Sequence, residues 1–293
     1  MAEVRSRRIE SNGQSFMVDE AGAGDEVAIL LHGFPESRFS WRYQIPLLAE
    51  LGWHVIAPDL RGYGESSRPK AKADYRIDHL VEDVAGLFDA VGARRRLLIG
   101  HDWGAGVAWA FALDRRLPLD GLVIMNVPHP KVLERVMKAS WKQPMKSWYM
   151  AFFQLPGLPE AVMTARGARA IGQAFTGMAV DKSRFPPEVT DVYRRNALVP
   201  GAMTAMINYY RANTAMLGRW GATPPEIETP TQMIWGEEDA ALDIDNTKGY
   251  GGLVSDFTLH TLPGVSHWVQ QEAPESVNAR LSAWLTARLP VKP

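Results

Sequence analysis

Short, mostly apolar runs punctuate the chain: Val27-Ala28-Ile29-Leu30-Leu31, Trp53-His54-Val55-Ile56-Ala57, Leu97-Leu98-Ile99, Leu122-Val123-Ile124-Met125 and Thr231-Gln232-Met233-Ile234-Trp235. Runs of this length suit strands buried on both faces of a sheet. Between them the apolar period changes. Trp41, Ile45, Leu48 and Leu51 recur at helical spacing, and Ile77, Leu80, Val81, Val84, Leu87, Phe88 and Val91 mark one face of an amphipathic helix. Strands alternating with helices predict an α/β fold with a doubly wound, mostly parallel sheet, whose function gathers at the strands' carboxyl ends. Upstream, Val4 to Glu20 alternates weakly around Asn12-Gly13, the pattern of a hairpin. Downstream, Asp256 to Leu262 reads as the last strand, and Val277, Leu281 and Leu285 as the buried face of a closing helix.

The rhythm breaks after Pro130. From Lys131 to Gly218 no strand pattern appears, and the segment reads as helices separated by Pro and Gly. The expected organisation is therefore a first part of an α/β core at 1–130, an inserted helical cap at 131–218, and the second part of the core at 219–293. The insertion holds eight of the twelve Met residues, and its 12 Lys or Arg face 5 Asp or Glu. Flexible methionines suit an adaptable apolar underside over a pocket.

Over all 293 residues, 32 basic side chains balance 33 acidic ones, which gives no sequence-wide argument for nucleic acid. Cysteine is absent, excluding disulfides and thiolate chemistry. No stretch reaches the roughly 18 apolar residues of a membrane span, and Met1 to Glu10 is charged, without the apolar centre of a signal peptide. The expectation is a cytoplasmic monomer or homodimer with no membrane partner.

Leu97-Leu98-Ile99-Gly100-His101-Asp102-Trp103-Gly104-Ala105-Gly106 concentrates the chemistry. An apolar strand running into Gly-x-Asp-x-Gly and then a small-residue segment is the pattern of a nucleophile elbow. Ala105, Gly106 and Ala108 are expected to let the new helix lie close against the sheet. The apex is Asp102, where an esterase carries Ser. A carboxylate accepts an sp3 carbon as an ester, which water must then cleave, so a base is required. His260 and His54 lie in strand patterns and His79 on the polar side of a helix. His267 follows the last strand in a Gly-bearing loop, in the chain order nucleophile, acid, His. Asp239, three residues beyond Gly236, fits the acid better than Asp243 or Asp245. The backbone N–H groups of Phe34 and Trp103 are candidates for an oxyanion hole.

Taken together, His32-Gly33-Phe34-Pro35-Glu36-Ser37, Pro58-Asp59-Leu60-Arg61-Gly62-Tyr63-Gly64, Gly100-His101-Asp102-Trp103-Gly104, Asn126-Val127-Pro128-His129-Pro130 and Gly264-Val265-Ser266-His267-Trp268 resemble the epoxide hydrolases of the α/β-hydrolase fold, over essentially the whole length. The resemblance implies hydrolysis of a small apolar epoxide to a vicinal diol, without cofactor or metal. It also implies two cap tyrosines that hydrogen-bond the epoxide oxygen, matched by Tyr149 in Ser147-Trp148-Tyr149-Met150 and Tyr210 in Asn208-Tyr209-Tyr210-Arg211. Tyr209 competes with Tyr210, being one residue or about 100° of helix away. Dehalogenases also use an Asp nucleophile on this fold, but the resembling loop carries Phe34 rather than a polar halide donor, and no arginine flanks Asp102. A non-catalytic ligand-binding member of the fold would be marked by loss of Asp102, His267 or a tyrosine, and none is lost.

Overall fold

The computed structural model describes residues 3–291. Its strands are β1 (Arg5–Ser11), β2 (Gln14–Ala21), β3 (Glu26–Leu31), β4 (His54–Pro58), β5 (Arg95–His101), β6 (Gly121–Met125), β7 (Thr231–Gly236) and β8 (Phe257–Leu262). They form one sheet in the order β1-β2-β4-β3-β5-β6-β7-β8. β1 and β2 make the expected hairpin, with Asn12 and Gly13 both at positive φ. β2 pairs antiparallel with β4, and the remaining neighbours are parallel.

Alternate residues of the central strands feed two cores. Ala28 and Leu30 of β3 pack with Ile45 and Leu48 of α1 (Gln44–Glu50) on one face. Val27, Ile29 and Leu31 join Leu80, Val84 and Phe88 of α2 (Ile77–Ala90) and Ala105 and Ala108 of α3 (Trp103–Leu113) on the other. The helix expected from Trp41 to Leu51 is interrupted: a 3-10 turn covers Arg38–Trp41 and α1 starts at Gln44. Pro46 explains the break, because proline fits a first turn but an uninterrupted helix would place it in the interior.

The connection from β5 to α3 is sharp. Asp102 adopts φ 48° and ψ −123°, a conformation that costs a side-chain-bearing residue about 1–3 kcal/mol. Gly104 makes room for it. A Cβ there would lie 2.1 Å from the Leu31 carbonyl oxygen, so backbone packs directly on backbone. Gly106 differs from the expectation. A Cβ at that position meets only the ends of Met216 and Trp103, at 3.7 and 3.8 Å, and it borders a cavity rather than the sheet.

Between β6 and β7 the described elements are helices: α4 (Pro130–Ala139), α5 (Lys142–Lys146), α6 (Trp148–Phe152), α7 (Leu158–Met178), α8 (Pro187–Leu198) and α9 (Ala202–Ala212), with a short 3-10 turn at Lys182–Arg184 and another at Met216–Gly218. The backbone of α7 leaves helical geometry at Ala165, Arg166, Gly167 and Ala168. Tyr209 of α9 seats this group on the elbow. Its ring lies 5.6 Å from that of Trp103, and its hydroxyl donates to the Arg61 carbonyl at 2.8 Å. The chain ends with α10 (Val269–Glu272) and α11 (Pro274–Arg288) on the sheet's second core.

Gly104→Ala is expected to destabilise the protein by about 1–3 kcal/mol or more through overpacking. Gly106→Ala, with space for its methyl, should leave stability nearly unchanged. Denaturant unfolding of the two variants checks the pair.

Candidate active site

The parallel strands deliver three side chains to one end of the sheet. Asp102 follows β5, Asp239 lies three residues after β7, and His267 stands in the loop after β8. His267 Nδ1 donates to Asp239 Oδ2 at 2.7 Å, and its Nε2 lies 3.5 Å from Asp102 Oδ2. Asp102 Oδ1 accepts the Phe34 N–H at 2.6 Å. Trp103 opens α3, where backbone N–H groups have no partner within the helix. Asp239 is buried and held on both oxygens. Oδ1 accepts from the Ala241 and Leu242 N–H groups, and Oδ2 also accepts from Asn126 Nδ2 at 2.7 Å.

This geometry sets the protonation. Burial works against charge on His267, but Asp239 and Asp102 outweigh it and push the imidazole up to about 10. Burial likewise opposes ionisation of both carboxylates, yet contact with His267 holds Asp102 and Asp239 below their ordinary range. At neutral pH the resting state is an imidazolium between two carboxylates.

Asp102 opens into a cavity of about 160 Å³ that Trp103, Trp109, Tyr149, Tyr210, Leu133, Met137, Met150, Met216 and Leu217 help to line. Tyr149 comes from α6 and Tyr210 from α9, with ring centroids 5.9 Å apart and ring planes nearly perpendicular. Burial, followed by the Asp102 charge, raises both phenols above their ordinary value, so they remain protonated donors. Tyr209 is outside this cavity, its hydroxyl committed to Arg61. The adjacent tyrosines are thus separated by position: Tyr210 shares the cavity with Asp102 and Tyr209 does not. Of the insertion's methionines, Met137, Met150 and Met216 border the cavity, whereas Met203 and Met206 are core.

The other candidates have different surroundings. His54 bridges Glu20 and the Gly24 carbonyl, and His79 is exposed on α2. His260 lies half-buried on the edge strand β8. Asp243 caps a short 3-10 turn by accepting the Asp245 N–H. Three contributors were not singled out by sequence. Asn126, at φ 49°, accepts the Gly236 N–H through Oδ1 while its Nδ2 binds Asp239. Glu36 accepts the Gly33 N–H at 2.8 Å, and His101 links Glu36 to the His267 carbonyl, each at 2.8 Å. The available signal was a polar residue inside an otherwise apolar or Gly-rich strand end.

A mostly parallel, doubly wound sheet with a sharp strand-to-helix turn at Asp102 and an acid–histidine pair from two later strands defines an α/β hydrolase. The sequence-family model described as alpha/beta hydrolase fold matches residues 27–274. AB hydrolase superfamily protein YfhM of Bacillus subtilis is 36% identical over 283 residues, covering 96% of this chain and 98% of that protein. Epoxide hydrolase 4 of Mus musculus is 34% identical over 286 residues, covering 95% and 78%. The crystal structure of Bacillus megaterium epoxide hydrolase with an inhibitor superposes with a TM-score of 0.87 at 29% identity, covering 96% of this chain and all of that one. The chain belongs to the epoxide hydrolases of the α/β-hydrolase fold.

Because both Asp102 and Asp239 raise His267, Asp102→Asn should lower the imidazole pKa from its value near 10 by removing one negative neighbour. Titration of the ring nitrogens by NMR reads this directly. A pKa unmoved by Asp102→Asn would contradict the electrostatic assignment.

Proposed function

We propose that the protein hydrolyses an apolar epoxide to a vicinal diol through an alkyl ester on Asp102. One observation carries this reading: Asp102, Tyr149 and Tyr210 line the same cavity, and His267 stands between Asp102 and Asp239. Asp102 Oδ1 is held by the Phe34 N–H, which leaves Oδ2 to attack an epoxide carbon. The new Oδ2–C bond forms as the ring C–O bond breaks, and the ring oxygen takes a proton from a phenol O–H. In this role Tyr149 and Tyr210 act as general acids.

Alkylation removes the Asp102 charge, and with it part of what holds the proton on His267. The proton that His267 then releases replaces the one taken up by the ring oxygen, so the first half-reaction is neutral overall. Neutral His267, oriented by Asp239, takes a proton from water as that water attacks the ester carbon. Charge developing on Oδ1 meets the Phe34 N–H, with the Trp103 N–H as second donor. The diol departs with the original Oδ2 and the second proton of that water, and the carboxylate regains an oxygen from water while His267 is again charged. Residues 131–218 act as the cap between the core segments 1–130 and 219–293. The Met and Leu side chains bordering the cavity favour a substrate with a substantial apolar substituent, whose burial contributes about 25 cal/mol per Å². No described helix is long and apolar enough to cross a membrane.

A single turnover in 18O-labelled water, with enzyme in excess, tests the nucleophile. Unlabelled diol and a labelled peptide containing Asp102 are expected. Labelled diol with an unlabelled peptide would mean that water attacks the epoxide carbon directly.

Tyr149→Phe and Tyr210→Phe should each slow alkylation by about 10²–10⁴-fold, the range typical of general acid assistance. Tyr209→Phe, whose hydroxyl lies outside the cavity, should be mild. Rapid-quench measurement of alkyl-enzyme formation compares the three; a silent Tyr210→Phe beside a crippling Tyr209→Phe would reverse their assignment.

A further inference from the structure

Asp239 and Tyr149 reach the site on different parts of the chain, yet a polar seam joins them. Gln143 of α5 is fully buried and uses every hydrogen-bonding position of its amide. Its Nε2 donates to Ser147 Oγ at 2.9 Å and to the Ala241 carbonyl at 3.0 Å. Its Oε1 accepts from the Asp243 N–H and from Asn246 Nδ2, each at 2.8 Å. At the end of the same helix, Lys146 Nζ donates to the Asp239 carbonyl at 2.8 Å and lies 3.5 Å from the Leu242 carbonyl. Ser147 directly precedes α6 and borders the cavity, two residues before Tyr149.

We propose that Gln143 and Lys146 are positioning residues for epoxide activation, registering Tyr149 against the loop that carries Asp239. The proposal rests on reading Tyr149 as a donor to the ring oxygen. α6 is a single short helix of five residues whose side chains are at most partly buried, and Tyr149 is held there by its ring's contacts with Phe153 and Tyr210. The seam supplies what that packing lacks, through Gln143, Ser147 and the start of α6. The seam meets the Asp239 loop chiefly through its backbone, and among the described residues no bond from α5 reaches the Asp239 carboxylate itself. That carboxylate is held by Asn126 and by the Ala241 and Leu242 N–H groups, none of which belongs to α5. Loss of the seam therefore acts on ring opening rather than on ester hydrolysis.

The test is the formation and decay of the alkyl-enzyme in single turnovers with an aryl-substituted epoxide. In Gln143→Leu and in Lys146→Met, formation should slow by about 10–100-fold while decay stays within about twofold, as expected for a small displacement of one catalytic group. In a Tyr149→Phe background the same substitutions should change formation by less than about twofold, because the group they position has lost its function. Lys146→Arg, which retains a cationic donor, should recover most of the rate. Lys146 is partly exposed, so Lys146→Met carries the test if Gln143→Leu does not fold. Equal slowing in the wild-type and Tyr149→Phe backgrounds, or equal slowing of formation and decay, would overturn the proposal. Wild-type formation rates in both variants beside a slow Tyr149→Phe enzyme would reject the seam alone. An unimpaired Tyr149→Phe enzyme would remove the donor role and the proposal with it.

Discussion

An imidazolium held between a buried carboxylate, Asp239, and one that opens into the cavity, Asp102, is the constraint on which the rest of this site depends. Charges withdrawn from water are tolerated only when each has partners, since an isolated buried ion costs far more than its surroundings can return. His267 supplies the counter-charge for Asp102 and Asp239, and backbone N–H groups of Phe34, Ala241 and Leu242 satisfy the remaining carboxylate oxygens. The brace behind them has the same character. Glu36 accepts from Gly33, Gln270 and Gln271, and His101 connects it to the His267 carbonyl. The loop bearing the Phe34 donor and the loop bearing the histidine are thereby fixed to one another.

Sheet order explains why these groups meet. β6 lies between β5, which delivers Asp102, and β7, which leads to Asp239. Asn126, the residue after β6, is therefore placed between the two. It spends its amide on the Gly236 N–H and the Asp239 carboxylate. Its left-handed backbone turns the chain away from the sheet at the point where the helical insertion begins.

Much of this was legible in the sequence, and for physical reasons. Buried parallel strands need mostly apolar runs, so β3, β4, β5, β6 and β7 are visible in the sequence. An elbow needs small residues around its apex, so Asp102 stood out. His267 and Asp239 followed from chain order after the last strands. The less legible parts depend on tertiary contact. Only the resemblance of Asn208-Tyr209-Tyr210-Arg211 favours Tyr210 over Tyr209, and the physical distinction arises because α9 puts one ring in the cavity with Asp102 and sends the other hydroxyl to the Arg61 carbonyl. Gly106 looked like a packing glycine because its neighbours Gly104 and Ala105 are small, but a helix presents successive residues to different sides. The spacing of Trp41, Ile45, Leu48 and Leu51 predicts one helix, whereas Pro46 restricts α1 to the stretch from Gln44. Glu36, His101 and Asn126 sat within the motifs, but their bonds span large separations along the chain.

The aromatic residues above the elbow have a consequence for traffic. Phe175, Tyr193, Met206 and Tyr209 from the inserted helices belong to the same continuous apolar cluster as Tyr63, Tyr75 and Ala105 beneath them. Glu272 further ties the two levels by accepting the Val180 and Asp181 N–H groups. Lifting the whole insertion like a hinged cover would wet that cluster and break those bonds at once. Rotation of unbranched side chains in the cavity lining, such as Met137 and Met150, is far cheaper. Adapting the cavity to molecules of different shape therefore costs least at its thioether lining and most at the contacts that seat the insertion on the charged floor.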